Sequence, residues 1–383
     1  MKEKTLQSIF SHLPTEQELR SRIEEREDLR EIFDTWTDEQ QQEYLDRCTG
    51  KRGFNILYDA YFKEVMNPEY DSSRLESFLE VVIGERVRIL KLLPNDSVRL
   101  EDENTLLVTD IVVELADGSI ANVEVQKIGY RFTGPRCSCY LSDMMLRQYK
   151  RIRARKKKGF SYGDIKKVYL IVLYETSPRT LRTMSDTYLH RARHVFDTGL
   201  DMDLLQRCIL VPLDIFKETM QNKPIRTLLE AWLTFLGEDS PQRLTELFKA
   251  FPQFIAMYET LYGMNKDMVS AMGFFSEELR IMDRNTVKYM IDEMDDEIKR
   301  LEEVKNQLEG EKNQLEGEKN QLEGEKNQLE GEKNQLEGEK NQLEGEKLQW
   351  ESERARLESQ NTQYQTQIAE LLAEVQRLKV NQS

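Results

Sequence analysis

Asp110, Glu124 and Gln126, in the stretch TDIVVELADGSIANVEVQ, are the residues whose types and spacing could do chemistry. Alternating apolar runs flank Ala116-Asp117-Gly118, a pattern that predicts a β-hairpin. A two-residue loop of Asp117-Gly118 would set Asp110 opposite Val125 and turn Glu124 to the other side. A three-residue loop of Ala116, Asp117 and Gly118, with Gly118 left-handed in a bulge, sets Asp110 opposite Glu124. The second register collects Leu107, Ile111, Val113, Leu115, Ala121, Val123 and Val125 on one apolar face. Asp110, Asn122, Glu124 and Gln126 then share the other. Burying the apolar face at ~25 cal/mol per Å² favours this register. Facing carboxylates about 4.5–5.5 Å apart at Cβ either repel or share a cation, and oxygen ligands suit Mg²⁺ or Mn²⁺. The alternative is that Asp110 and Glu124 are solvated charges on the polar face of a two-sided sheet. Glu114, on that same face, reads as such a charge, and Lys127 points to the apolar side.

The elements that must hold this hairpin follow from periodicity. The first 50 residues read as two charged helices stopped by Gly50. SRLESFLEVVIGE then reads as an amphipathic helix, VRILKLL, TLLVTDIVVEL and SIANVEVQKI as strands, about Pro135 to Lys157 as a long helix, and KVYLIVLY as a buried strand. The order is α-β-β-β-α-β. Residues 178 to 290 read mostly as helix, with TLLEAWLTFL and QFIAMYETLY the clearest amphipathic pieces.

Net charge is −15, but it is unevenly spread. Residues 301–383 hold 19 acidic and 11 basic side chains, whereas residues 136–170 hold 11 Lys/Arg against two acids. Charge is screened beyond about 8–10 Å, so this local basic surface can steer phosphates on an acidic chain. Arg147, Lys150, Arg151, Arg153, Arg155, Lys156, Lys157 and Lys158 would neutralise a DNA backbone without reading its sequence. A solvated helix end is the plainer reading of the same run.

The last hundred residues are repetitive. EGEKNQL occurs five times in succession from Glu309 to Leu343, and leucine recurs every seventh residue from Leu301 to Leu343. The register continues through Trp350, Leu357, Tyr364, Leu371 and Leu378, which is the d seam of a coiled coil. The a positions hold Ile291 and Ile298, then Lys305 through Lys347, then Arg354 and Asn361, then Ile368 and Val375, so the middle is weak and the ends are strong. Lysine at a suits two strands, which predicts a homodimer; a single charged helix is the alternative.

With those residues in place, TDIVVELADGSIANVEVQ resembles the Asp…Glu-x-Gln signature of the PD-(D/E)XK nuclease family transposases, also called recombination-promoting nucleases. LYDAYFKEVM, PRCSCYLSDMMLRQYKR and VYLIVLY are further landmarks, and the resemblance covers about residues 50–200 closely. It implies an α/β (α+β) restriction-endonuclease-like core and metal-dependent DNA endonuclease activity in transposition or recombination of mobile elements. By that resemblance Asp110, Glu124 and Gln126 are catalytic, and Mg²⁺ (or Mn²⁺) is held by Asp110, Glu124 and the carbonyl of Val125. Gln126 stands where the superfamily usually has lysine, which leaves a weakly active or inactive DNA-binding assembly protein as the alternative. Asp59 and Lys63 match a family landmark or form a simple i,i+4 ion pair. Glu76 and Glu80 lie where some members carry another acid, and Arg136 with Tyr140 could reach a phosphate together. The implied organisation is a helical segment at 1–50, the nuclease-like core at 51–200, a helical region at 201–285 and the coiled coil at 286–383.

Other chemistry finds little support. The four cysteines make no Cys-x-x-Cys pair and read as reduced thiols, and Cys137 and Cys139 have no base in sequence reach. His190 and His194 read as neighbours on one helix face without the Glu of a zinc-protease motif. No apolar stretch predicts a signal peptide or membrane span, so the expectation is a cytoplasmic protein with DNA as partner.

Overall fold

A computed structural model describes residues 5–93, 110–129 and 132–380; for Asp110 and for residues 288, 289, 292, 293, 296 and 378–380 it describes the backbone alone. The chain divides into two compact units, Met1–Ile291 and Asp292–Ser383.

The first unit begins with α1 (Glu16–Glu24), α2 (Glu27–Phe33) and α3 (Asp38–Thr49), three helices where periodicity predicts two. Arg26 is extended between the first two, its guanidinium turned onto Asp28. That break lets Leu19 and Ile23 on one side and Leu29 and Phe33 on the other enter the same core, which a straight helix over this span would not allow. Thr15 and Thr37 open α1 and α3 with reciprocal capping boxes, and Gly50 in the left-handed region ends α3.

The order continues α4 (Asp59–Met66), α5 (Pro68–Ile83), β1 (Ile89–Leu92), β2 (Asp110–Leu115), β3 (Ile120–Gln126), α6 (Gly134–Lys156) and β4 (Val168–Tyr174). From α5 to β4 this is the expected α-β-β-β-α-β sequence. Next come α7 (Arg179–Arg182), β5 (His190–Arg193), β6 (Gln206–Pro212), α8 (Leu213–Met220), α9 (Leu228–Gly237), α10 (Pro241–Ala250), α11 (Gln253–Met264) and α12 (Met268–Val380). Two strands therefore interrupt the region expected to be mostly helical. Cys208-Ile-Leu-Val is a β-favouring run closed by Pro212, and β5 is a short charged edge strand with a weak pattern of its own. His190 lies on β5 and accordingly shares no helix face with His194.

All six strands form one mixed sheet in the order β1-β2-β3-β4-β6-β5, with β3, β4 and β6 parallel and the outer pairings antiparallel. Residue parity divides its faces. Ile111, Val113, Leu115, Ala121, Val123, Val125, Ile171, Leu173 and Val211 join the larger core with the N- and C-terminal helices. Ile120, Val168, Leu170 and Val172 pack against Cys137, Leu141 and Met144 of α6 in a smaller second core. Among the described residues no helix is long and apolar enough to cross a membrane.

The helix α12 carries every described heptad residue. In the single chain its d-position leucines are open to solvent, Leu308 through Leu343 being more than half exposed.

Candidate active site

The hairpin adopts the three-residue loop. Leu115 N–H donates to Ser119 O (2.8 Å), Gly118 N–H donates to Leu115 O (2.9 Å), and Gly118 has φ +89°. The resulting pairs are Asp110↔Glu124, Ile111↔Val123, Val112↔Asn122 and Val113↔Ala121. Leu107 and the side chain of Asp110 lie outside the described residues.

Hydrogen-bond direction sharpens this register. Ile120 N–H donates to Lys167 O and Glu175 N–H to Gln126 O, both at 3.0 Å, so the even residues of β3 bond to β4. Asp110 and Glu124 are therefore a non-hydrogen-bonded pair, the kind whose Cα atoms approach to about 4.5 Å. By the same alternation the carbonyl of Val125 points to the β2 side, where Asp110 stands. The Glu124 carboxylate and the Val125 carbonyl are both oxygen donors, the ligand class that a hard divalent cation such as Mg²⁺ or Mn²⁺ takes. Among the described residues no three His, Cys, Asp or Glu side chains converge, and the side chain of Asp110 stands outside that set.

The face carrying Glu124 is not a solvated one. Glu124 is 0% exposed, and Asn122, Gln126 and Glu114 on the same face of the sheet are buried as well. Glu124 Oε1 accepts from Gln126 Nε2 at 2.8 Å, while Asn122 Oδ1 has no hydrogen-bond partner among the described residues. Gln148 of α6 clamps the helix over the hairpin by donating to Gly118 O (3.1 Å) and accepting from Lys166 N–H (2.8 Å). Glu114 is also buried, drawn into a basic cluster with Lys91 (3.5 Å), Arg151 (3.7 Å) and Arg155 (3.3 Å). A carboxylate at that position needs such partners, because burial without them costs several kcal/mol.

At the C-terminal end of β3, Lys127 does reach the opposite, apolar side. It forms a buried ion pair with Glu278 of α12 and lies 5.1 Å from the centroid of the Tyr58 ring. Glu278 also accepts from Asp59 N–H at the start of α4 (2.9 Å). Asp59 and Lys63 make the i,i+4 pair at 2.8 Å, and Asn55 donates to Glu175 (2.9 Å) at the same end of the sheet. Gly129 is obligatory in the turn that follows, since a Cβ there would lie 2.1 Å from Thr176 O.

The start of α6 is tied to this end as well, for Tyr174 Oη donates to Phe132 O (3.1 Å). The Arg136 guanidinium stacks over the rings of Phe132 and Tyr140 and donates to Tyr140 Oη (3.4 Å). Glu76 and Glu80 sit elsewhere. They accept from Ile89 N–H (2.7 Å) and Val87 N–H (3.3 Å), next to Leu115 and roughly 16 Å of strand from Asp110.

The basic helix separates into two groups. Arg147 pairs with Asp143, Lys156 with Asp164, and Arg151 and Arg155 with Glu114. Lys150, Lys157 and Lys158 carry no ion pair among the described residues, and Arg153 is engaged with the Tyr149 ring. Sequence reasoning missed Glu278, Glu175 and Asn55, which lie outside the signature and meet the hairpin only through long-range packing. Lys127 was visible as the one buried-side charge beside Gln126, though its partner was not.

A family model described as PD-(D/E)XK nuclease family transposase matches residues 56–294, so the chain belongs to that family. No curated protein and no solved structure matches the chain.

Proposed function

We propose that this member of the PD-(D/E)XK nuclease family transposases is a divalent-cation-dependent DNA endonuclease serving transposition or recombination of mobile elements, in a bacterial cytoplasm. The opposition of Asp110 and buried Glu124 across a non-hydrogen-bonded pair carries the reading. The order from α5 to β4 is read as the restriction-endonuclease-like core. Asp110, Glu124 and the Val125 carbonyl would hold Mg²⁺ or Mn²⁺, which when bound supplies an acidified water and neutralises charge on the scissile phosphate. The chain's own residues do the rest. Gln126 fixes the Glu124 carboxylate through its amide, Arg136 and Tyr140 would receive a phosphate together, and Lys150, Lys157 and Lys158, which have no ion pair among the described residues, would attract the backbone. Pairing of two α12 heptad seams would make a homodimer that brings two sites to one duplex.

The test is Mg²⁺-dependent nicking of supercoiled plasmid, expected from the wild-type protein and lost in Asp110→Ala. Undiminished nicking by that variant refutes the assignment. One observation favours a second reading, a non-catalytic DNA-binding assembly protein: the amide that replaces the usual lysine is occupied by Glu124. Calorimetry with Mn²⁺ separates the two, because a decayed site shows no heat that is lost on Glu124→Ala.

A further inference from the structure

Where α6 ends, the chain reads YKRIRARKKKGFSYGD, and the structure gathers its aromatics into one cluster. The rings of Tyr149 and Tyr162 lie parallel, 6.2 Å apart at an interplanar angle of 10°. Phe160 meets both edge-on, at 5.5 Å and 5.4 Å. Arg153 places its guanidinium 5.6 Å from the Tyr149 centroid and donates to the Tyr149 hydroxyl. Tyr162 is nevertheless 75% exposed. An aromatic ring that merely fastened a turn would gain more by being covered, at ~25 cal/mol per Å².

The turn holding Tyr162 is built to keep it there. Lys157 closes α6 at φ +49°, a conformation that crowds the Cβ of any residue other than glycine. Ser161 N–H donates to Asp164 (2.9 Å), Gly163 N–H donates to Ser161 Oγ (3.3 Å), and Lys156 pairs with Asp164 at 2.5 Å. Asp164 is thereby neutralised by the last residue of α6. Lys150, Lys157 and Lys158, in the same stretch of chain, are exposed and have no ion pair among the described residues.

We infer that Tyr162, backed by Tyr149, Phe160 and Arg153, is a stacking platform for unpaired bases of single-stranded DNA, with Lys150, Lys157 and Lys158 on the adjoining phosphates. A preset ring with a cation behind it and free lysines beside it is the combination that binds single strands irrespective of sequence, because every base offers a π face. A duplex engages only the lysines, since its bases are already stacked. The choice of DNA rests on the nuclease reading above. Thirteen residues of helix separate Arg136 from Tyr149, about 20 Å at 1.5 Å per residue. A strand held on the platform can therefore run toward the Asp110–Glu124 end over several nucleotides.

The test is fluorescence anisotropy of the full chain with labelled oligothymidylate and with a blunt duplex of equal length, in chelator so that nothing is cleaved. Tyr162→Ala should weaken single-strand binding about 5- to 100-fold and leave duplex binding within about twofold. Tyr162→Trp should bind the single strand like wild type, with indole emission quenched beyond any change in the wild-type protein. Unchanged single-strand affinity in Tyr162→Ala, or equal loss for both probes, overturns the platform and leaves the patch to a protein contact. If Tyr162→Ala fails to fold, absence of extra quenching in Tyr162→Trp overturns it instead. Failure of the nuclease reading shows separately, as plasmid nicking that persists in Asp110→Ala.

Discussion

Replacing Glu124 by glutamine should make the cation-free protein more stable while abolishing stabilisation by the cation. The substitution is nearly isosteric at a fully buried position, and the new side-chain oxygen can still accept from Gln126 Nε2. What disappears is the charge that, on the proposed site, is set against the carboxylate of Asp110, its partner in the strand register. At about 5 Å and an effective dielectric of about 20, their repulsion is roughly 3 kcal/mol, which sets the ceiling on the gain. In the wild-type protein a cation at a hundred times its Kd would return about 2.7 kcal/mol, so the loaded wild type and the cation-free variant should nearly coincide. Urea unfolding in EDTA and in MnCl₂, followed by emission of the buried Trp36 and Trp232, measures both. A variant less stable than wild type in EDTA, or stabilised by Mn²⁺ as strongly as wild type, would refute the shared-cation argument.

Lys127→Met should destabilise the first unit by about 3–5 kcal/mol in the same assay, because it strands a buried Glu278. Adding Glu278→Gln, which keeps an acceptor for Asp59 N–H, should recover most of that loss. Gly129→Ala drives a methyl group against Thr176 O and should cost at least ~2 kcal/mol or abolish soluble expression. Lys157→Ala with Lys158→Ala should lower the salt slope of DNA binding by about one per lysine; Arg151→Ala, whose charge already serves Glu114, should instead lower the melting temperature. Ile298→Lys with Leu301→Lys, Ile368→Lys and Leu371→Lys, which breaks both strong ends, should reduce the mass seen by light scattering to that of one chain, and an unchanged mass would remove the seam from any role in association.

The hairpin was legible because its two constraints agree. Only one loop length buries Ile111, Val113, Ala121, Val123 and Val125 together, and that same length opposes Asp110 to Glu124. On the second face Glu114 was misjudged as a solvated charge, for an equally physical reason. Alternation within β2 and β3 distinguishes polar from apolar faces but says nothing about what covers the polar one, and it was Gln148, Arg151 and Arg155, far along the chain, that closed it. Lys127–Glu278 was invisible on the same grounds, since its partners stand 151 residues apart. Strand β6 was lost because a short apolar run such as CILVPL is not told from buried helix by periodicity alone, and β5 because HRAR carries no apolar alternation.

Helix α12 stays helical through all five copies of EGEKNQL, and each copy is one heptad long. Gaining or losing a copy would therefore change the distance between the flanking isoleucine and valine layers by about 10.5 Å, while leaving every seam residue in phase. Insertions that are not a multiple of seven residues would instead shift the phase of the seam. Helix length is thus a quantity that copying this unit alters in fixed increments, by a sequence indifferent to how many times it appears.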